Sequence, residues 1–137
     1  MPTDFELAEG EKVASVVYII GAVLAIITSD KAESELIQQQ IGGGAPSGTQ
    51  TDTAPLTVSQ LVVIISLLYV IGNTIFGQIS FFRLEKTERD IAAGTGTGSA
   101  IPNKLIAFGW LLGIVGSLIR LVGAQLRVEE EKPITIL

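Results

Sequence analysis

The chain has 137 residues, 47% of them apolar, a net charge of −5, and neither cysteine nor histidine. That length suits one domain, and the missing residue types exclude thiol nucleophiles, disulfides, Cys/His zinc sites and imidazole bases. The acidic balance argues against nucleic-acid binding by the whole surface, while leaving room for one basic face.

The apolar residues are clustered. Residues 13–29, 53–82 and 105–119 carry no charge. About 20 apolar residues at roughly 1.5 Å each cross a hydrocarbon layer, so these runs read as membrane-type helices, the first a little short. The first twelve residues hold Asp4, Glu6, Glu9 and Glu11 against Lys12, the wrong charge for a secretory leader.

Thr3 and Glu6 have capping-box spacing, which starts a helix near Asp4, although Gly10 weakens it. The charge-free run and then "DKAESELIQQQI", rich in helix formers, carry helix 1 over residues 4–41, and "GGG" stops it. Residues 42–56 are a Gly/Ser/Thr/Pro linker. Thr57 and Gln60 form a second capping box, opening helix 2 over residues 57–92; Glu85–Arg89 and Lys86–Asp90 are spaced as a solvated helix end would place them. "GTGTGSAIP" falls in a turn, residues 93–103, and Asn103 is expected to cap helix 3 over residues 104–131, ended by Pro133. The expected fold is therefore all-α, a single domain of three long apolar helices, the last two an antiparallel hairpin embedded in a membrane or a shell. Five cations near one end (Lys12, Arg83, Lys86, Arg89, Lys104) against three near the other (Lys31, Arg127, Lys132) place the N-terminus inside, if the chain crosses a membrane.

Four patterns bear on function. Gly109, Gly113 and Ser117 make a small-residue ladder on helix 3 that would let another helix approach closely. Ser59, Ser66, Asn73 and Ser80 recur every seven residues on helix 2. This stripe reads either as a hydrogen-bonded packing seam, with Asn73 fixing register, or as a lined pathway; nothing on it titrates, which favours the seam. Gly21 and Ala25, with Tyr18 and Thr28, form a packing face on helix 1. Arg83, Lys86, Arg89 and Lys104 are the only cationic cluster; Glu85, Glu88 and Asp90 nearly cancel it, so internal ion pairs compete with a phosphate-facing role.

Arg120 is the one charge inside "GWLLGIVGSLIRLVGAQL". It sits roughly 9 Å from the end of the apolar part, within snorkelling range. The alternatives are a pair with Glu129–Glu131 of a neighbouring copy, or a grip on a lipid headgroup or nucleic-acid phosphate. No glycine-rich loop has the strand and lysine of a phosphate site, and no paired carboxylates fall in an apolar run. An enzyme is not expected, nor any cofactor, metal or small-molecule substrate.

"LVVIISLLYVIGNTIFGQISFF" and "LIAFGWLLGIVGSLIRLVGAQL", joined by "AAGTGTGSAIPN", resemble the hydrophobic coat proteins of archaeal spindle-shaped viruses, small cysteine-poor proteins built on an apolar helical hairpin. The resemblance covers about residues 56–127, and helix 1 is an addition to it. It implies many identical copies in a virion shell, around DNA and possible lipid, with no catalytic residues. The leading expectation is a non-catalytic structural protein that self-assembles; the alternative is a small accessory subunit of a larger membrane complex, and after that an oligomeric channel.

Overall fold

The computed structural model describes residues 2–41 and 56–131, which form three helices. Helix α1 is Asp4–Ile41, α2 is Val58–Ala92 and α3 is Ile101–Glu130. The linker expected over 42–56 lies, except for Leu56, outside the described residues, as do Lys132 and Pro133.

The helix ends follow local chemistry. Thr3 N–H donates to Glu6 at 2.7 Å, and Glu6 N–H donates to the Thr3 hydroxyl at 3.2 Å, closing the box that starts α1. These Thr3 donors, the backbone N–H first, hold the Glu6 carboxyl below its ordinary pKa. Thr57 and Gln60 make the same exchange at α2. At the far end of α2, Gly94 takes φ +70°. Its N–H donates to Ile91 O at 3.1 Å and that of Thr95 to Asp90 O at 3.0 Å, a Schellman cap that needs glycine at the left-handed position.

The start of α3 differs from expectation. Pro102 occupies its first turn, where a missing N–H costs nothing, and the Ser99 hydroxyl accepts from Ile101 N–H. The helix therefore begins three residues early. Asn103 lies inside it and caps nothing; its amide donates to the Thr87 hydroxyl of α2 at 2.7 Å.

The helices run up, down and up in one layer. α2 packs on α1 and on α3, while no residues of α1 and α3 approach within 8 Å between Cα atoms. The buried positions of α1 are Leu7, Ala14, Gly21 and Thr28, seven apart; those of α2 include Ser59, Ser66, Asn73 and Ser80, also seven apart. A seven-residue repeat is what keeps one stripe facing a slightly inclined partner. The stripes are made of small residues, so backbones approach closely without a large apolar core.

By length and composition all three helices can cross a membrane. At 38, 35 and 30 residues they exceed the roughly 30 Å of hydrocarbon. Their outer faces are apolar and exposed, with Val16, Ile19, Val23 and Ile26 on α1 and Leu105, Phe108, Leu112 and Ile119 on α3. Water-soluble monomers do not leave such continuous apolar surface uncovered. Three hydroxyls in the spans turn inward on their own helix: Thr28 donates to Leu24 O, Thr74 to Val70 O and Ser117 to Ile114 O. That satisfies them without water.

Candidate functional site: a polar groove at mid-span

Asn73 joins all three helices. Its Oδ1 accepts from the Tyr18 hydroxyl of α1, and its Nδ2 donates to the Gly113 carbonyl of α3 at 3.1 Å. Glycines make room for this. A Cβ on Gly72 would lie 2.6 Å from the Tyr18 ring, and one on Gly21 would lie 3.0 Å from the Tyr69 ring. Each tyrosine thus fills a hole left by a glycine of the opposite helix. The two rings lie 5.4 Å apart, Tyr18 stands 5.9 Å from Phe76, and Phe76 stacks on Trp110 at 4.6 Å.

Because no Cα atoms of α1 and α3 come within 8 Å of each other, a groove of about 520 Å³ opens between them, with α2 as its floor. Its lining is Tyr18, Tyr69, Asn73, Gly113, Gly116, Ser117 and Arg120. The Arg120 guanidinium stands 5.8 Å from the Tyr69 ring centroid, a cation–π distance. Among the described residues no carboxylate comes within 4 Å of it.

The depth of Arg120 follows from the contacts. Gly21, against which Tyr69 packs, is the middle residue of the charge-free run 13–29. The guanidinium therefore lies at the mid-level of α1's run, about 12 Å from either end. The direction has a simple cause. A helical side chain leans toward its helix's N-terminus, and Arg120 is near the C-terminal end of α3, so its stem leans into the layer rather than toward the nearer surface. Glu131, which with Glu129 and Glu130 is a candidate partner from a neighbouring copy, accepts from Ser59 of its own chain.

The remaining candidates are placed as follows. Ser59, Ser66, Asn73 and Ser80 are buried on α2, and Ser66 Oγ has no hydrogen-bond partner. Gly21 is buried and Ala25 half-buried on α1. Gly113 meets the Asn73 amide and Ser117 is buried, but Gly109 is exposed with open space where a Cβ would be. Within the chain only Gly113 and Ser117 of the expected ladder meet α2. Eight residues turn a helix about 80° past whole turns, which carries Gly109 off the stripe that Ser117 occupies. Half-buried Trp110 and Ile114 lie on the contact side in its place.

Arg83 pairs with Glu11 at 2.8 Å, Lys86 with Asp4 at 2.7 Å, Arg89 with Glu85 at 3.0 Å and Lys104 with Glu88 at 2.8 Å. None of the four cations considered for phosphate is left with its charge unanswered. The first two pairs tie α1 to α2 and the last ties α2 to α3.

Sequence reasoning missed the groove itself and the glycines Gly72 and Gly116. Tyr18, Asn73 and Arg120 were each conspicuous, yet only the pairing of helices brings them together. Chemically the groove offers a fixed cation and hydroxyl and amide dipoles to an anion. Among the described residues no three His, Cys, Asp or Glu side chains group to hold a metal. No protein-family model matches the chain, and no curated protein or solved structure matches it either.

Proposed function

We propose that the chain is a non-catalytic structural subunit that works inside a membrane as an accessory part of a larger complex. One observation carries this reading: a cation with no carboxylate within 4 Å among the described residues stands at mid-span in a groove between α1 and α3. In hydrocarbon an unanswered charge is costly, and such residues pair across an interface or line a path. Among the described residues nothing fills the groove, which leaves it open to an occupant.

A second reading, a coat protein assembling as many copies in a virion shell around DNA and lipid, draws on the exposed apolar faces of α1 and α3. Those faces suit lipid as well as copies, so they weigh less than Arg120. The test is isolation of the native protein in mild detergent, with mass spectrometry of everything that comes with it. A minor component held at fixed ratio to different, larger chains supports the accessory subunit. A single dominant protein in particles or filaments rejects it in favour of the shell.

A further inference from the structure

We propose that the groove seats a transmembrane helix of a different protein, and that this helix carries an aspartate or glutamate whose carboxylate pairs with Arg120 at mid-span. The inference rests on the reading of the chain as an accessory subunit and names the chemistry of the partner.

Charge selects the occupant. Arg120 presents a planar fork of donors in a low-dielectric layer, and a carboxylate is the side chain that matches it in geometry and sign. A second copy of this chain does not supply one. Copies in one membrane share an orientation, and residues 13–29, 53–82 and 105–119 hold no acid at any depth. Glu129, the nearest acid along α3, is nine residues or about 14 Å further along the axis, and side chains of α3 lean toward its N-terminus, which carries Arg120 inward. A lipid headgroup stays near the surface, whereas the guanidinium lies beside Tyr69, level with the middle of α1's charge-free run.

Shape agrees with a helix. The α3 wall of the groove is Gly113, Gly116 and Ser117, and nothing lies within 4 Å of the position a Cβ on Gly116 would take. Small side chains on that wall let a backbone come close. Tyr18, anchored on Asn73, forms the opposite wall and keeps the groove from filling with its own ring.

The test uses the full chain in phosphatidylcholine vesicles with labelled synthetic peptides, each a 20-residue Leu/Ala transmembrane helix. One carries a single central Glu, the other Gln at the same place. Energy transfer reports association. The Glu peptide is expected to associate about tenfold more tightly than the Gln peptide, as a charge-assisted pair does over a neutral one. Arg120→Leu should erase that difference, and Arg120→Lys should keep only part of it. Intramolecular energy transfer between α1 and α3 checks that each variant retains the layer. Equal association of the two peptides, including none of either, overturns the proposal. So does a Glu preference that survives Arg120→Leu, or Arg120-dependent enrichment of phosphatidylglycerol in mixed vesicles with no Glu preference. A tie between the peptides while the native protein still co-purifies with other chains removes the carboxylate and leaves the accessory subunit. A native protein found only with itself removes the subunit reading whatever the peptides do.

Discussion

The two seams of the layer are built differently. Between α1 and α2 the centre of the seam is steric, Tyr18 entering the hole at Gly72 and Tyr69 the hole at Gly21, with the Tyr18–Asn73 hydrogen bond beside it and the Arg83–Glu11 and Lys86–Asp4 pairs at one end. Between α2 and α3 it is mixed: an amide on a carbonyl at Asn73–Gly113, a stacked Phe76–Trp110 pair, and a polar end at Asn103–Thr87 and Lys104–Glu88. The connections explain the contrast. A short turn after α2 brings α3 back almost without choice, so its contacts need only set register. α1 is separated from α2 by a longer stretch of chain, whose closure costs more entropy. Its partner face is specified by shape on both sides. In an apolar solvent shape is what remains, because lipid tails compete with leucine as well as leucine does.

The sharpest way to break the steric seam is Gly72→Val. With a Cβ 2.6 Å from the Tyr18 ring, either the ring leaves its place or the helices part. A loss of about 3 kcal/mol is expected, read as reversible unfolding in bicelles, while Gly109→Val stays within about 0.5 kcal/mol. Equal effects at the two glycines would mean that the tyrosine–glycine lock is not what joins α1 to α2.

Asn73→Leu tests the residue shared by both seams. It removes the acceptor of Tyr18 and the donor to Gly113, and should cost about 1–2 kcal/mol. Because the Tyr18 hydroxyl is stranded, adding Tyr18→Phe should cost less in that background than alone. Strict additivity in this double-mutant cycle would separate the two seams.

Ser66→Ala should do the opposite. Ser66 is fully buried with its hydroxyl unpaired, so removing the oxygen should leave stability unchanged or raise it by up to about 1 kcal/mol. A clear loss would mean that the hydroxyl has a partner supplied by an assembled neighbour.

The smallest effect is electrostatic. The Lys86 ammonium, by hydrogen bond and then by charge, holds the Asp4 carboxyl below its ordinary value of 3.8. A depressed folded pKa stabilises at pH above the unfolded value, and the contribution disappears as pH falls through the folded one. Hydrogen exchange in the first turn of α1 should therefore be insensitive to pH near neutrality and quicken, relative to its intrinsic rate, only below about the ordinary carboxylate range. Since the pair is largely exposed, the change should be slight. The same loosening seen already at neutral pH in high salt would show screening at work rather than protonation.

What the sequence could reveal divides along the same line. Charge-free runs, Thr3/Glu6, Thr57/Gln60 and Gly94 mark the helices because caps and breakers act locally. The start of α3 was misplaced because Asn103 is a good capping residue by type, while Pro102 one step earlier already fixes a helical φ. The groove was not legible. In helices that are apolar all round, hydrophobicity does not separate the face that meets a helix from the face that meets lipid. Gly109 and Gly113 therefore look alike until α2 is in place. The seven-residue stripe of α2 was visible because its serines and asparagine contrast with their surroundings; the matching Leu7, Ala14, Gly21 and Thr28 of α1 have no such contrast.

The separation of the α1 and α3 backbones has a mechanical consequence. The layer is a pair of leaves on one spine, with a single polar tie across all three among the described residues, at Asn73. Resistance to folding along the spine is therefore concentrated at one depth. Above and below it, the opening between the leaves follows the lateral pressure and thickness of whatever surrounds them. A change in bilayer thickness or curvature would widen or narrow the cleft around Arg120 without breaking any helix-to-helix packing, so the molecule's stiffness is a property of its setting as much as of its bonds.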